Sequence, residues 1–354
     1  MTPADSVLRL VRPDILALSA YSSARKESKG GRVWLDANEN PETPSVHRPL
    51  LNRYPDPQPA ELVAKLATLY GVAPEQVLVT RGSDEGIDLL LRTFCRAGQD
   101  AILITPPTYG MYVVAAGIQG ARTVTVPLVR EKNFALDAGG VLAACAPEVK
   151  LVFLCSPNNP TGGLLDRGEV IGLVRSLAGR AVVVVDEAYV DFSGQPSLAA
   201  EVAAHPNLVV LRTLSKAFGL AGARVGTTLA DPAVIAVLQK VIAPYPVPAP
   251  VLQAALAAMT PAGLAAARDS VATLVAERRR LAAALVKLAL VRHVWPSDAN
   301  YLLVEVADAA RAMAAGRAAG VVWRDRSKDV PNCLRITVGT AAENDATLEV
   351  LSRA

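Results

Sequence analysis

The chain has 354 residues, of which 51% are hydrophobic and 19% charged, a balance that suits a packed globular protein and excludes a disordered or fibrous one. Lys and Arg outnumber Asp and Glu by only 36 to 33 and are scattered, so no basic stripe of the kind that follows a nucleic-acid backbone is present. Cys95, Cys145, Cys155 and Cys333 form no C-x-x-C pair and no disulfide-like spacing, and read as buried thiols of a reducing compartment.

Charges at Asp5, Arg9, Arg12 and Asp14 interrupt any signal-peptide core. No apolar run approaches the roughly 20 residues a spanning helix needs, and a cytoplasmic protein is expected. The opening stretch to about Leu35 is poor in periodicity and is expected to pack on either lobe or on another subunit.

From about Val77, short β-branched runs alternate with Ala- and Leu-rich stretches of helical period, which predicts an α/β fold with a mostly parallel sheet flanked by helices. The expected strands are Val77 to Thr80, Ala101 to Thr105, Arg122 to Val126, Leu151 to Cys155, Ala181 to Asp186, Leu208 to Leu211 and Arg224 to Leu229. Helices are expected to begin near Ser83, Thr108, Asp166 and Ser215. Start and stop signals agree for the first, since Ser83 precedes the run Glu85 to Arg96 and Gly98 follows it.

Ile242 to Pro250 carries prolines at 244, 246, 248 and 250 and neither continues a helix nor sits inside a sheet, which marks a junction. A long Ala/Leu helical region through Leu290, a strand at Asn300 to Val306, another helix and a strand at Leu334 to Val338 then predict a smaller α+β domain. The expected division is 1–34 as an N-terminal arm or segment of the small domain, 35–243 as the large domain and 244–354 as the small C-terminal domain.

Three segments carry chemistry. Ser156-Pro157-Asn158-Asn159-Pro160-Thr161-Gly162 follows one apolar strand, Asp186-Glu187-Ala188-Tyr189 closes another, and Thr213-Leu214-Ser215-Lys216 follows a third and leads through glycines to Arg224. Singly, each has an ordinary explanation as a tight loop, a helix cap or a solvated lysine. Together they supply what pyridoxal 5′-phosphate requires: an amine at Lys216, a carboxylate at Asp186 for the pyridinium nitrogen, and hydroxyls plus an arginine for the phosphate. Open α/β sheets bind ligands at such strand ends.

On these residues the chain resembles the fold-type I aminotransferases, whose motifs match as Asn159-Pro160-Thr161-Gly162, the acidic strand end at Asp186, and Ser215-Lys216-Ala217-Phe218-Gly219. The resemblance implies that Lys216 forms the internal imine, Asp186 meets the ring nitrogen, and Asn159 and Tyr189 meet the ring hydroxyl. It also implies that Thr213, Ser215 and Arg224 hold the cofactor phosphate, together with backbone N–H groups of Gly82-Ser83-Asp84-Glu85-Gly86, and that Tyr109 stacks on the ring.

Along nearly the whole chain the sequence is similar to the histidinol-phosphate aminotransferase subgroup. The carriers are Arg12-Pro13, Tyr21 to Arg25, Leu35 to Pro41, Asn52 to Asp56, Asp186 to Phe192, Ala299 to Leu303, Arg324-Asp325 and Cys333 to Gly339. The resemblance implies one pocket that takes carboxylate and phosphate in turn, built on Arg335 with Arg324, or Arg326 in its place, and with Tyr21 and Tyr54. Tyr54 would reach the neighbouring subunit of a homodimer.

The implied reaction converts imidazole acetol phosphate and L-glutamate to L-histidinol phosphate and 2-oxoglutarate. Rival readings are an aromatic or branched-chain aminotransferase, a threonine-phosphate decarboxylase and a cofactor-sensing transcription regulator. His47, His205 and His293 suggest no metal site, and no Gly-rich nucleotide motif occurs.

Overall fold

The computed structural model describes residues 7–19, 37, 38, 40 and 51–354. β-Branched and other apolar runs form a seven-stranded sheet of β1 (Val77–Thr80), β2 (Ala101–Ile104), β3 (Arg122–Thr125), β4 (Val149–Cys155), β5 (Val182–Asp186), β6 (Leu208–Thr213) and β7 (Gly226–Leu229). Its order is β1-β7-β6-β5-β4-β2-β3. β7 is antiparallel to both neighbours and the remaining pairs are parallel.

The side-chain period of two divides these strands between two cores. Val183 and Val185 join one apolar cluster with Val152 and Leu154, while Val182 and Val184 join the other with Leu151 and Phe153. Strands buried on both faces require cover on both sides. Helices provide it: α1 (Pro13–Ala17), α2 (Ala60–Tyr70), α3 (Ser83–Phe94), α4 (Met111–Gln119), α5 (Ala138–Ala144), α6 (Arg167–Ser176) and α7 (Pro232–Val241).

Val7, Leu10 and Val11 are buried in the second cluster. Arg12 N–H donates to Thr93 O at 3.0 Å and Lys240 Nζ to Leu16 O at 2.8 Å, so residues 7–19 lie against the large sheet's helices.

After α8 (Ala249–Ala258) and α9 (Pro261–Leu285), a four-stranded antiparallel sheet follows in the order β10-β11-β9-β8. It consists of β8 (Val291–Val294), β9 (Tyr301–Val306), β10 (Arg324–Asp325) and β11 (Cys333–Thr337), with α10 (Ala309–Ala318) and α11 (Ala341–Arg353) packed on it. Leu302 and Val304 face that local core, whereas Leu303 and Cys333 join the large sheet's cluster. The small sheet is thereby welded to the large one.

The helix expected near Ser215 is absent. Leu214 N–H bonds Val225 O at 3.0 Å, Gly219 N–H bonds Lys216 O at 3.2 Å, and only a single 3-10 turn, Ala221–Ala223, forms. β7 returns antiparallel beside β6, with Leu214 already paired to Val225, and Gly219 at φ 65° breaks any helical run in the loop between them.

The helix expected near Thr108 begins at Met111, because the Thr108 hydroxyl donates to Asn158 Oδ1 at 3.0 Å and holds its loop against the end of β4. The proline-rich segment ends inside a helix: α8 starts at Ala249 with Pro250 in its first turn, where the missing N–H costs nothing.

The helical region expected through Leu290 is broken at Thr260, whose hydroxyl accepts Gly263 N–H to cap α9, and it ends at Leu285. β8 after it, half-exposed and holding Arg292 and His293, was outside the expected strands. Among the described residues no single helix is long and apolar enough to cross a membrane.

Gly226 pairs with Thr80 on one side and Thr213 on the other. A Cβ there would lie 2.2 Å from Gly82 C and 2.4 Å from Ser83 N. Gly226→Ala must therefore displace the backbone at the start of α3, and a loss on the order of 2–4 kcal/mol is expected in urea unfolding. An unchanged midpoint would contradict this packing.

Candidate active site

β4, β5 and β6 are parallel neighbours, and in register Cys155 sits beside Asp186 and Asp186 beside Leu211. Their carboxyl ends open into a cavity of about 200 Å³. The side chains that line it include Ser83 and Asp84, Tyr109, Asn159, Asp186 and Tyr189, Thr213, Ser215 and Lys216, Arg224, and Arg335 from the small sheet.

Asp186 is 2% exposed. Its Oδ2 accepts the Tyr112 hydroxyl at 2.9 Å and its Oδ1 the Ala188 N–H at 3.2 Å. Burial drives its acidity down and its pKa up to about 6, and the two hydrogen bonds oppose that shift only in part.

Lys216 Nζ lies 5.6 Å from the centre of the Tyr189 ring. Burial, and then the positive charge of Arg335, lower its pKa and favour the neutral, nucleophilic amine.

A cluster of hydrogen-bond donors closes the other end. Gly82 caps α3 at φ 79°, and a Cβ there would meet Arg224 Nη2 at 2.5 Å, so the backbone N–H groups of the first turn and the guanidinium converge because position 82 has no side chain. Arg224 donates to Ser215 Oγ at 3.3 Å and to Asp84 Oδ2 at 3.2 Å. The Thr213 and Ser215 hydroxyls are 2.9 Å apart. Tyr109 OH donates to Asp84 Oδ1 at 3.0 Å.

On the side nearer the small sheet Asn159, 4% exposed, accepts from Arg335 Nη1 at 2.5 Å and donates to Tyr189 OH at 3.5 Å. Arg335 lies over the Tyr301 ring at 5.4 Å, and its Nε is buried with no partner. A guanidinium held by one nitrogen keeps donors that can bind an anion.

The residues fit pyridoxal 5′-phosphate on their donor chemistry. A neutralisable amine, a buried carboxylate and a side-chain-free cradle with Arg224 lie around one cavity, and Lys216, Asp186, Asn159, Tyr189 and Tyr109 would hold the ring.

Several expected site residues stand elsewhere. Glu85 turns back to receive Arg81 N–H at 2.6 Å and its guanidinium at 2.8 Å, bracing the loop without lining the cavity. Tyr54 is half exposed and stacks on Tyr245, ring centroids 4.5 Å apart, in a separate surface depression. Arg324 is exposed and directly across from Arg335 on β10. Arg326 is half-buried, binds Asp329 at 2.9 Å and has an unpartnered Nε. Tyr21 and the segments 20–36 and 41–50 lie outside the described residues.

Sequence reasoning missed Tyr112 and Cys155. For Cys155 a signal existed, because parallel register puts it beside Asp186; for Tyr112 it did not, because α4 reaches β5 only through packing. Among the described residues no group of His, Cys, Asp or Glu is arranged to hold a metal ion.

Because the folded pKa of Asp186 lies above the ordinary value, the protein free of cofactor binds that proton more tightly when folded. The associated stability is complete below about pH 4 and is lost as pH rises through about 6. Asp186→Asn should then stabilise the cofactor-free protein at pH 8 by on the order of 1–3 kcal/mol in urea unfolding, and leave it unchanged at pH 4. The same difference at both pH values would refute the assignment.

The model of the family described as aminotransferase class I and II matches residues 18–351. The chain is 50% identical to a histidinol-phosphate aminotransferase of Stenotrophomonas maltophilia over 98% of this chain and 97% of that one. It is 48% identical to a histidinol-phosphate aminotransferase of Aeromonas hydrophila over 98% of each. The crystal structure of histidinol-phosphate aminotransferase from Sinorhizobium meliloti in complex with pyridoxal 5′-phosphate superposes with a TM-score of 0.77 at 25% identity, covering 86% of this chain and 83% of that one. A cavity lined by Lys216, Asp186 and Arg224 at one edge of the large sheet, and likeness over the full length, agree: the chain belongs to the class I and II aminotransferases.

Proposed function

We propose that this chain is a pyridoxal-phosphate-dependent transaminase that converts imidazole acetol phosphate and L-glutamate to L-histidinol phosphate and 2-oxoglutarate, reversibly, in L-histidine biosynthesis. The observation that carries the reading is that Lys216, Asp186 and Arg335 border one cavity, in a chain that shares half its residues with relatives bearing that activity's name. Bound cofactor would supply an electrophilic carbon for amines and a sink for the electrons of a breaking C–H bond.

The residues divide the remaining work. Lys216 Nζ, its pKa lowered by burial and by the charge of Arg335, would carry the proton between the substrate's α-carbon and the cofactor's C4′, in opposite senses in the two half-reactions. The Asp186 carboxylate holds positive charge at the inner end of the cavity. Arg224, Ser215, Thr213 and the start of α3 would hold the cofactor phosphate, and Asn159 and Tyr189 would hold its ring.

Arg335 receives the second anion, the carboxylate of glutamate or the phosphate ester of the other substrate, because a planar fork matches both. Arg324, opposite it on the same sheet face, completes the phosphate pocket with Tyr21, and Arg326 adds positive field beside them. We further propose a homodimer in which Tyr54 reaches the partner's cofactor, a reading supported by its exposure away from its own cavity. A cytoplasmic setting suits four buried, unbridged thiols.

Lys216→Ala should abolish turnover with the far-UV spectrum unchanged. Arg324→Gln should raise KM for histidinol phosphate roughly tenfold or more and that for glutamate far less, as expected of one charged hydrogen bond; equal effects on both would remove Arg324 from the phosphate pocket. The overall reading is tested with purified protein and glutamate, comparing imidazole acetol phosphate with phenylpyruvate. Preference for phenylpyruvate, or release of CO2 in place of 2-oxoglutarate, would overturn it.

A further inference from the structure

We infer that Tyr112 is a positioning residue for the proposed reaction: its hydroxyl, donated from α4 to Asp186 Oδ2, fixes the orientation of the carboxylate that would meet the cofactor's ring nitrogen. The inference rests on the pyridoxal-phosphate reading above. Tyr112 is fully buried and lies 74 residues from Asp186 in sequence. Its ring is clamped by stacking on Phe153 of β4, centroids 4.8 Å apart and 17° between planes, and meets Tyr109 edge-on at 5.6 Å. The ring contacts hold the hydroxyl in place, with the weakly accepting thiol of Cys155 as its other polar neighbour.

The packing of α4 on β4 therefore sets where that hydroxyl points, independently of any ligand. Ala188 N–H fixes Oδ1 of the carboxylate at 3.2 Å and Tyr112 fixes Oδ2 at 2.9 Å. Two donors on opposite oxygens define the carboxylate plane; one leaves it free to rotate about χ2. The phenol also stabilises the charged form against the burial that disfavours it. Ser83, Asp84 and Tyr109 approach the cavity from other segments, and among the described residues the hydrogen bonds to the Asp186 carboxylate come from Tyr112 and Ala188.

Tyr112→Phe keeps both ring contacts and removes only the donor. Cofactor-free wild type, Y112F, Asp186→Ala and the double variant are titrated with pyridoxal 5′-phosphate, and binding is read from protein fluorescence and cofactor absorbance. Y112F is expected to weaken binding about tenfold, the scale of one hydrogen bond to a charged group, with an unchanged far-UV spectrum. In the Asp186→Ala background the same change is expected to have no further effect.

Steady-state assays of the loaded enzyme are expected to show kcat lowered about tenfold, with KM for glutamate nearly constant. Cofactor binding by Y112F equal to wild type, or an equal loss with and without Asp186, would overturn the inference and leave Tyr112 as core packing. Failure of the wild type itself to bind pyridoxal 5′-phosphate would instead overturn the reading on which it rests.

Discussion

A carboxylate with 2% of its surface exposed at the end of a sheet's central strand is expensive to keep charged. Asp186 is held there because β5, four valines packed on both faces, cannot shift its register without burying Asp186 deeper or exposing a valine. Much of the site answers that burial. Tyr112 and Ala188 satisfy the two oxygens, Lys216 shares the cavity, and the ring nitrogen of the proposed cofactor would complete the balance.

The second constraint is the reversal at β7. In a wholly parallel sheet the segment after β6 would travel away through a helix, and Lys216 and Arg224 would part company. Here the chain turns within Ser215 to Val225 and comes back antiparallel, so the Lys216 amine and the Arg224 guanidinium belong to one short loop. Gly82 and Gly226 then let the start of α3 approach that loop to a distance no side chain would permit.

The third is the weld between the sheets. Leu303 and Cys333 of the small sheet are buried in the large sheet's core, which fixes Arg335 against Asn159. The Arg335 guanidinium is positioned by apolar packing two residues away from it along β11. One hydrogen bond, Arg335 to Asn159, thus ties the small sheet to the large one at the cavity.

Much of this was legible in the sequence. Strand runs such as Val182–Asp186 and the Ser83 helix start were written in local pattern, and the residue types for the cofactor stood together in the motifs at Asn159, Asp186 and Lys216. The turn after Ser215 was misread because its residues permit a helix, and only pairing with β7 forbids one. β8 went unseen because its half-exposed Arg292 and His293 carry no alternation.

The sequence by itself determined which chemical groups sit at the ends of which strands, because hydrophobic period and turn residues act over a few positions. Only the tertiary structure decided that Tyr112 would reach Asp186 across 74 residues and Arg335 would reach Asn159 across 176. Such contacts depend on how helices and sheets pack, which is a property of the assembled core and leaves no local periodicity to read.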